Sequence, residues 1–155
     1  MPTQSTKRGG GGAEGDFQLE DSPGHLLHRA QQRAADMTAQ ALRAQNLTPR
    51  QFAVLMALSQ NEGVTQSELV RRTGVDRSTL ADMLARLSKR RLVITRRTEQ
   101  DQRANAVRIT AEGQRTLDEA APKVVDAERR IVELLPVDQR EGFLANLKVL
   151  ADSRR

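Results

Sequence analysis

The chain has 155 residues, 37% of them hydrophobic, which is enough for one ordinary core and short for two. With no cysteine it has no disulfide, thiolate metal site or redox-sensing thiol, and with 2% aromatics and no Trp or Tyr it lacks the stacking platforms that read single-stranded nucleic acid. The net charge of +5 is local: residues 64–110 carry 11 Lys and Arg against 5 Asp and Glu, while 1–63 stand at 6 against 6 and 111–155 at 8 against 9. Such an excess is the footprint of a nucleic-acid surface rather than of a generally basic protein.

Residues 1–16 include the run Gly9 to Gly12 and offer nothing to pack, so a disordered tail is expected. Residues 17–155 read as one domain. Ser22 before Pro23 opens a first helix that runs to about Gln45, with Leu27, Ala30, Ala34, Met37 and Ala41 at helical spacing. Thr48, Pro49 and Gln51 announce a second helix carrying Phe52, Val54, Leu55 and Leu58, which should stop near Asn61 to Gly63.

Thr65-Gln66-Ser67-Glu68 spells a capping box for a short third helix with Leu69 and Val70 on its apolar side. Gly74 and Val75 make a tight corner, and Asp76 caps a fourth helix to about Arg90. At 100° per residue, Leu80, Met83, Leu84 and Leu87 fall on one face, with Ser78, Asp82, Ala85 and Lys89 opposite and Thr79 and Arg86 on the flank. One side packs and the other is free.

Leu92 to Thr95 and Ala106 to Ile109 read as a two-stranded hairpin whose loop holds Arg96, Arg97, Asp101 and Arg103. Thr110 then caps a long helix to about Leu134, which Pro122 should kink or divide. After Pro136 a last helix carries Phe143, Leu144, Leu147 and Leu150. The fold class is therefore mainly α with a small β wing: a winged helix-turn-helix at 64–110 plus helices at 22–45 and 111–155 whose apolar faces need a partner.

Thr65 through Gly113 resembles the MarR family of bacterial transcription regulators. The likeness rests on Asp101-Gln102-Arg103 followed by Val107-Arg108-Ile109-Thr110-Ala111-Glu112-Gly113, the D-x-R…L-T-x-x-G ending of that family's wing and following helix, with Ile109 where Leu is commoner. It implies a homodimer formed by the first and last two helices, a pseudo-palindromic double-stranded DNA operator, and a repressor released by a small molecule. The second-helix entry Leu47-Thr48-Pro49-Arg50-Gln51-Phe52 looks like members that control aromatic-compound degradation, which points to an anionic aromatic acid or its coenzyme A thioester as effector.

By that resemblance Arg103 enters the minor groove at the wing tip and Asp101 orients it; the competing reading is a pair that only fixes the turn. Arg77, Ser78, Thr79, Asp82 and Arg86 are the candidates for base or phosphate contact on the fourth helix, with Arg96 and Arg97 beside them on the wing. His25, His28, Arg29 and Gln32 recur at i, i+3, i+4 and i+7 opposite the apolar face of the first helix. They, with Phe52 and Met56 as an apolar wall, are the candidate ligand residues, against the plainer reading of a solvated face. Two histidines without cysteine make too small a ligand set for a closed metal site, and no cofactor is expected.

Catalysis lacks a starting point in the sequence, which has no nucleophile beside a base and no glycine-rich phosphate loop before a helix. A winged helix that binds protein instead of DNA is the alternative, but its outward face should then be apolar.

Overall fold

Pro23 starts the first helix, α1 (Pro23–Ala41), as its place after Ser22 requires: proline's fixed φ suits the first turn, where an amide would find no intrahelical acceptor. The computed structural model describes residues 18–61, 63–97 and 105–152, and divides within α1 into units 1–33 and 34–155. Among its described residues the first unit holds a 3-10 turn, Leu19–Asp21, and the opening turns of α1, on which Leu26 and Leu27 are exposed.

In the second unit α1 ends at Ala41, four residues earlier than its periodicity suggests. The chain tightens there into a 3-10 turn, Arg43–Gln45, closed by Asn46 in the left-handed region at φ 50°. Leu42 is fully buried at this corner, so the core rather than helix propensity sets the stop.

Next comes α2 (Pro49–Ser59), with the reciprocal box as expected: Thr48 Oγ1 accepts from the Gln51 amide and Gln51 Oε1 from the Thr48 amide. It finishes before Gly63 because the Asn61 side chain donates to the Ala57 carbonyl at 2.9 Å and satisfies the end.

Thr65 caps α3 (Gln66–Thr73), but only half of its expected box forms. The Glu68 carboxylate turns instead to Arg72, one helical turn on, at 2.8 Å, because a charged donor is the stronger competitor. Gly74 ends α3 at φ 68°, Val75 is buried in the corner, and α4 (Arg77–Lys89) follows.

The wing is a three-stranded antiparallel sheet in the order β1-β3-β2: β1 (Val64–Thr65), β2 (Val93–Arg97) and β3 (Asn105–Ile109). Val93 pairs with Ile109 and Arg97 with Asn105, while Val64 pairs with Val107. The strand β1 is absent from the sequence reading, since two residues cannot display a period.

Finally α5 (Ala111–Glu133) runs unbroken through Pro122, and α6 (Arg140–Asp152) follows a 3-10 turn. Pro122 does not divide α5. It is exposed, as is Asp118, whose carbonyl loses its donor and can take water, while Ala120 and Val124 on the opposite side are buried.

One core joins these elements. Leu42, Val54, Leu55, Leu69, Leu80, Leu87 and Val107 are all inaccessible, drawn from α2, α3, α4, the wing and the turn after α1.

Two backbone details lock the wing to the helices. First, α4 ends in a Schellman motif: the Leu92 amide reaches the Leu87 carbonyl at 3.0 Å and the Arg91 amide the Ser88 carbonyl at 2.9 Å, with Leu87 and Leu92 both buried. The residue in the left-handed position is Arg91, at φ 60°, where glycine is usual. Second, Thr110 Oγ1 donates to the Arg91 carbonyl at 2.6 Å and accepts from the Gly113 amide at 2.9 Å, while the Thr110 amide donates to the Leu92 carbonyl. A Cβ on Gly113 would stand 2.1 Å from that Leu92 oxygen, so only glycine fits.

Arg91→Gly should therefore stabilise the fold by about 1 kcal/mol, read as a rise of roughly 2–4 °C in melting temperature, because the left-handed penalty disappears. An unchanged or lower melting point would show that the Arg91 side chain outweighs the strain. Gly113→Ala should destabilise by about 3 kcal/mol in denaturant unfolding, since a backbone atom rather than a flexible side chain blocks the new methyl. A loss below about 1 kcal/mol would mean that β2 can back away from α5.

Candidate nucleic-acid interface

The face of α4 that meets solvent is built by the face that does not. Leu80, Met83, Leu84 and Leu87 are buried as the helical period dictates. Arg77, Ser78, Asp82 and Arg86 are left exposed and Thr79 half-buried on the flank. Burying four such side chains stabilises the helix by roughly 1.5–3 kcal/mol each, so the polar face is displayed on a rigid support.

The N-terminus of α4 is fixed by Asp76. Its Oδ1 accepts from the Thr79 amide at 2.9 Å and from Ser78 Oγ at 2.8 Å. Hydrogen bonds from Thr79 and Ser78 hold this carboxyl well below the usual carboxylate range. Ser78 thus has its proton committed to the cap and offers lone pairs outward, an acceptor for a base amino group unless the cap bond is given up.

Arg77, Asp82 and Arg86 make no side-chain hydrogen bond or ion pair among the described residues. Asp82 and Arg86 stand one turn apart without pairing, so neither charge is spent internally.

Further cations flank this face. Arg71 and Arg72 on α3 pair with Glu68 at 3.6 and 2.8 Å on the surface, where such pairs are worth only about 0.3–0.5 kcal/mol, and a phosphate could displace the carboxylate cheaply. Neither arginine was singled out from the sequence, although their position in the last turn of α3 was visible.

Arg90 goes the other way. Its guanidinium donates to the Asn46 carbonyl at 2.6 Å and the Gln45 carbonyl at 2.9 Å, so one charge of the basic segment is a strap from the end of α4 to the turn after α1. No sequence signal marks a bond to a carbonyl 45 residues away.

On the wing, Arg96 and Arg97 lie in β2, opposite Ala106 and Asn105. Asp101 and Arg103 lie outside the described residues.

The candidate ligand residues are divided between the units. In the first, His25 is half-buried and His28, Arg29 and Gln32 are exposed; in the second, Phe52 and Met56 are half-buried against the core. The second unit has a cleft of about 660 Å³ lined by α1, the Arg43–Gln45 turn and α5, and none of the six borders it. Among the described residues no cluster of three metal-ligating side chains occurs, and no helix is long and apolar enough to cross a membrane.

A sequence model of the MarR family matches residues 45–104. The transcriptional repressor NicR of Pseudomonas putida is 32% identical over 141 residues, covering 88% of this chain and 87% of its own length. Among solved structures, BpsR of Bordetella bronchiseptica, whose DNA binding is regulated by 6-hydroxynicotinic acid, superposes with a TM-score of 0.86 at 26% identity, over 90% of this chain and 100% of that one. The repressor CouR, bound to a 23-mer DNA duplex, gives 0.80 at 34% identity over 86% and 94%. CouR of Rhodococcus jostii is also known with p-coumaroyl-CoA.

The cap on α4 carries a pH signature. A carboxyl held below its ordinary value of 3.8 contributes stability above that value and loses it as pH falls toward the folded-state value. Asp76→Ala should thus melt below the parent by a constant margin between about pH 5 and 8, and the margin should shrink below about pH 4. A margin independent of pH down to the acid transition would show that the carboxylate charge is not what caps the helix.

Proposed function

Because this chain belongs to the MarR family of transcription regulators, we propose that it is a repressor that holds a pseudo-palindromic DNA operator as a homodimer and releases it when a small anionic aromatic acid, or its coenzyme A thioester, binds. The observation that carries the DNA reading is the face of α4: Arg77, Asp82 and Arg86 unpaired and exposed, Ser78 and Thr79 beside them, over an apolar face sunk in the core. Arg can read guanine bidentately, Ser and Thr can bond a base or phosphate, and Asp can accept from cytosine. On the wing, Arg96, Arg97 and an Asp101-oriented Arg103 would extend the contact to the adjacent minor groove.

A second copy is called for by exposed apolar side chains. Leu144 and Leu150 on α6, with Leu134 and Val137 before it, are 43–76% exposed, apolar surface that a second copy would cover. An isologous dimer places two recognition helices one helical turn of DNA apart. The effector class follows from the relatives: BpsR responds to 6-hydroxynicotinic acid and CouR binds p-coumaroyl-CoA.

Selection from random duplexes followed by footprinting tests the reading. Paired half-sites about one helical turn apart are expected, as is a dimer in sedimentation; recovery of a lone half-site or a micromolar monomer overturns it. In the same assay Arg103→Ala should weaken operator binding by about 1–3 kcal/mol with folding intact. Arg86→Ala should alter the selected sequence if Arg86 reads a base, and weaken all sequences alike if it holds phosphate. Addition of 6-hydroxynicotinate or p-coumaroyl-CoA should release the operator.

A further inference from the structure

The exposed face of α4 separates into a middle and two flanks. At about 100° per residue from Ser78, the residues Ala81, Asp82, Ala85 and Lys89 fall within about 60° of it, whereas Arg77 lies about 100° to one side and Arg86 about 80° to the other. The two arginines stand half a turn apart. All of these residues are exposed, while Leu80, Met83, Leu84 and Leu87 are buried on the far side.

A helix with its side chains is about 10–12 Å across and the major groove about 12 Å wide, so a helix that enters the groove nearly fills it. Side chains in the middle of the face then point at base edges, and those on the flanks at the two sugar-phosphate walls. The middle of α4 is short: Ser78, Ala81, Asp82 and Ala85 let its backbone come close to the bases. Lys89 is the long residue there, and it is the last of the helix. Arg77 and Arg86 make no side-chain hydrogen bond or ion pair among the described residues, which leaves each guanidinium to a phosphate.

The polar residues of the middle also share a polarity. Ser78 Oγ donates its proton to Asp76 Oδ1 at 2.8 Å, an oxygen that the Thr79 amide holds at 2.9 Å, so Ser78 presents lone pairs outward. The Asp82 carboxylate, one turn on, can only accept. In the major groove cytosine N4 and adenine N6 are the donors, whereas guanine O6 and N7 and thymine O4 are acceptors that repel a carboxylate. Adenine carries the acceptor N7 beside its amino group, which leaves cytosine as the best partner for Asp82. Ala81 and Ala85 offer a methyl, and the thymine 5-methyl is its apolar counterpart.

We propose that Ser78 and Asp82 read base amino groups and Ala81 and Ala85 read thymine methyls, with Arg77 and Arg86 holding the phosphates on either side, so that each half-site presents a cytosine to Asp82. The inference rests on the DNA reading of α4 and narrows it to a class of sequence, one in which no arginine of this helix reads guanine.

The test is selection from random duplexes with the full chain and its variants, followed by titration at several salt concentrations. The parent should recover a fixed cytosine in each half-site. Asp82→Asn, which adds a donor beside the acceptor, should move that position to adenine, and Asp82→Ala should lose a discrimination of about tenfold there with the other positions unchanged. Ser78→Ala should relax one further position, since Asp76 keeps its bond to the Thr79 amide.

Arg77→Ala and Arg86→Ala should keep the base profile of the parent, weaken every duplex alike, and each lower the salt slope of binding by about one. Ala85→Leu, on an exposed helical site, should melt like the parent yet bind all duplexes roughly tenfold more weakly, because the backbone can no longer approach the bases. A guanine preference that disappears in either arginine variant, a profile unmoved in both Asp82 variants, or parental affinity in Ala85→Leu would overturn the assignment and leave the repressor reading in place. A parent that selects no duplex at all would overturn both.

Discussion

The carbonyl of Leu92 sits where a side chain on Gly113 would be, and accepts the amide of Thr110 at 3.0 Å. Three elements meet at that one atom: Leu92 closes the Schellman end of α4, leads into β2, and abuts the first turn of α5. Thr110 adds a bond from its hydroxyl to the Arg91 carbonyl and caps α5 through the Gly113 amide. The wing therefore cannot pivot independently of α4, because moving it would break the end of one helix and the start of another. The threonine and glycine of the T-x-x-G signature are explained by this junction: one supplies a hydroxyl that both donates and accepts, the other supplies the absence of a side chain.

The same logic of fixed supports governs the basic surface. The exposed charges of α4 remain unpaired because the helix does not need them for stability, its hold on the core coming from Leu80, Met83, Leu84 and Leu87. The charges that are spent lie elsewhere: Arg71 and Arg72 on Glu68 at the surface, Arg90 on two carbonyls of the turn after α1. A count of cations in the segment thus overstates what faces DNA, and the geometry sorts displayed charge from structural charge. Arg90 shows why this matters, since it ties the position of α4 to the Gln45 turn rather than to a phosphate.

Much of this was legible in the residue pattern. The caps Thr48, Thr65, Asp76 and Thr110 each precede the helix they predict, because an N-cap is a local contact three residues long that tertiary packing seldom overrides. The buried face of α4 follows from the 100° period alone. What failed did so where a choice between partners or a distant contact decided: Glu68 preferred Arg72 to the cap, α1 stopped at Ala41 because Leu42 enters the core, and Pro122 was accommodated on the exposed side of α5.

The sequence by itself determined the order of helices, the corner at Gly74, the basic character of 64–110 and the family signature, all of which rest on spacing within a few residues or on composition. Tertiary structure alone decided that Val64 and Thr65 add a third strand opposite Val107 and Ala106, and that Arg90 reaches Gln45 and Asn46. It also decided that Arg43 and Lys123 border one cleft with Met37. Each of these joins residues more than 40 positions apart, or separate helices, and no local propensity encodes such a meeting: it exists only once the common core around Leu55, Leu80 and Val107 has set the distances between elements.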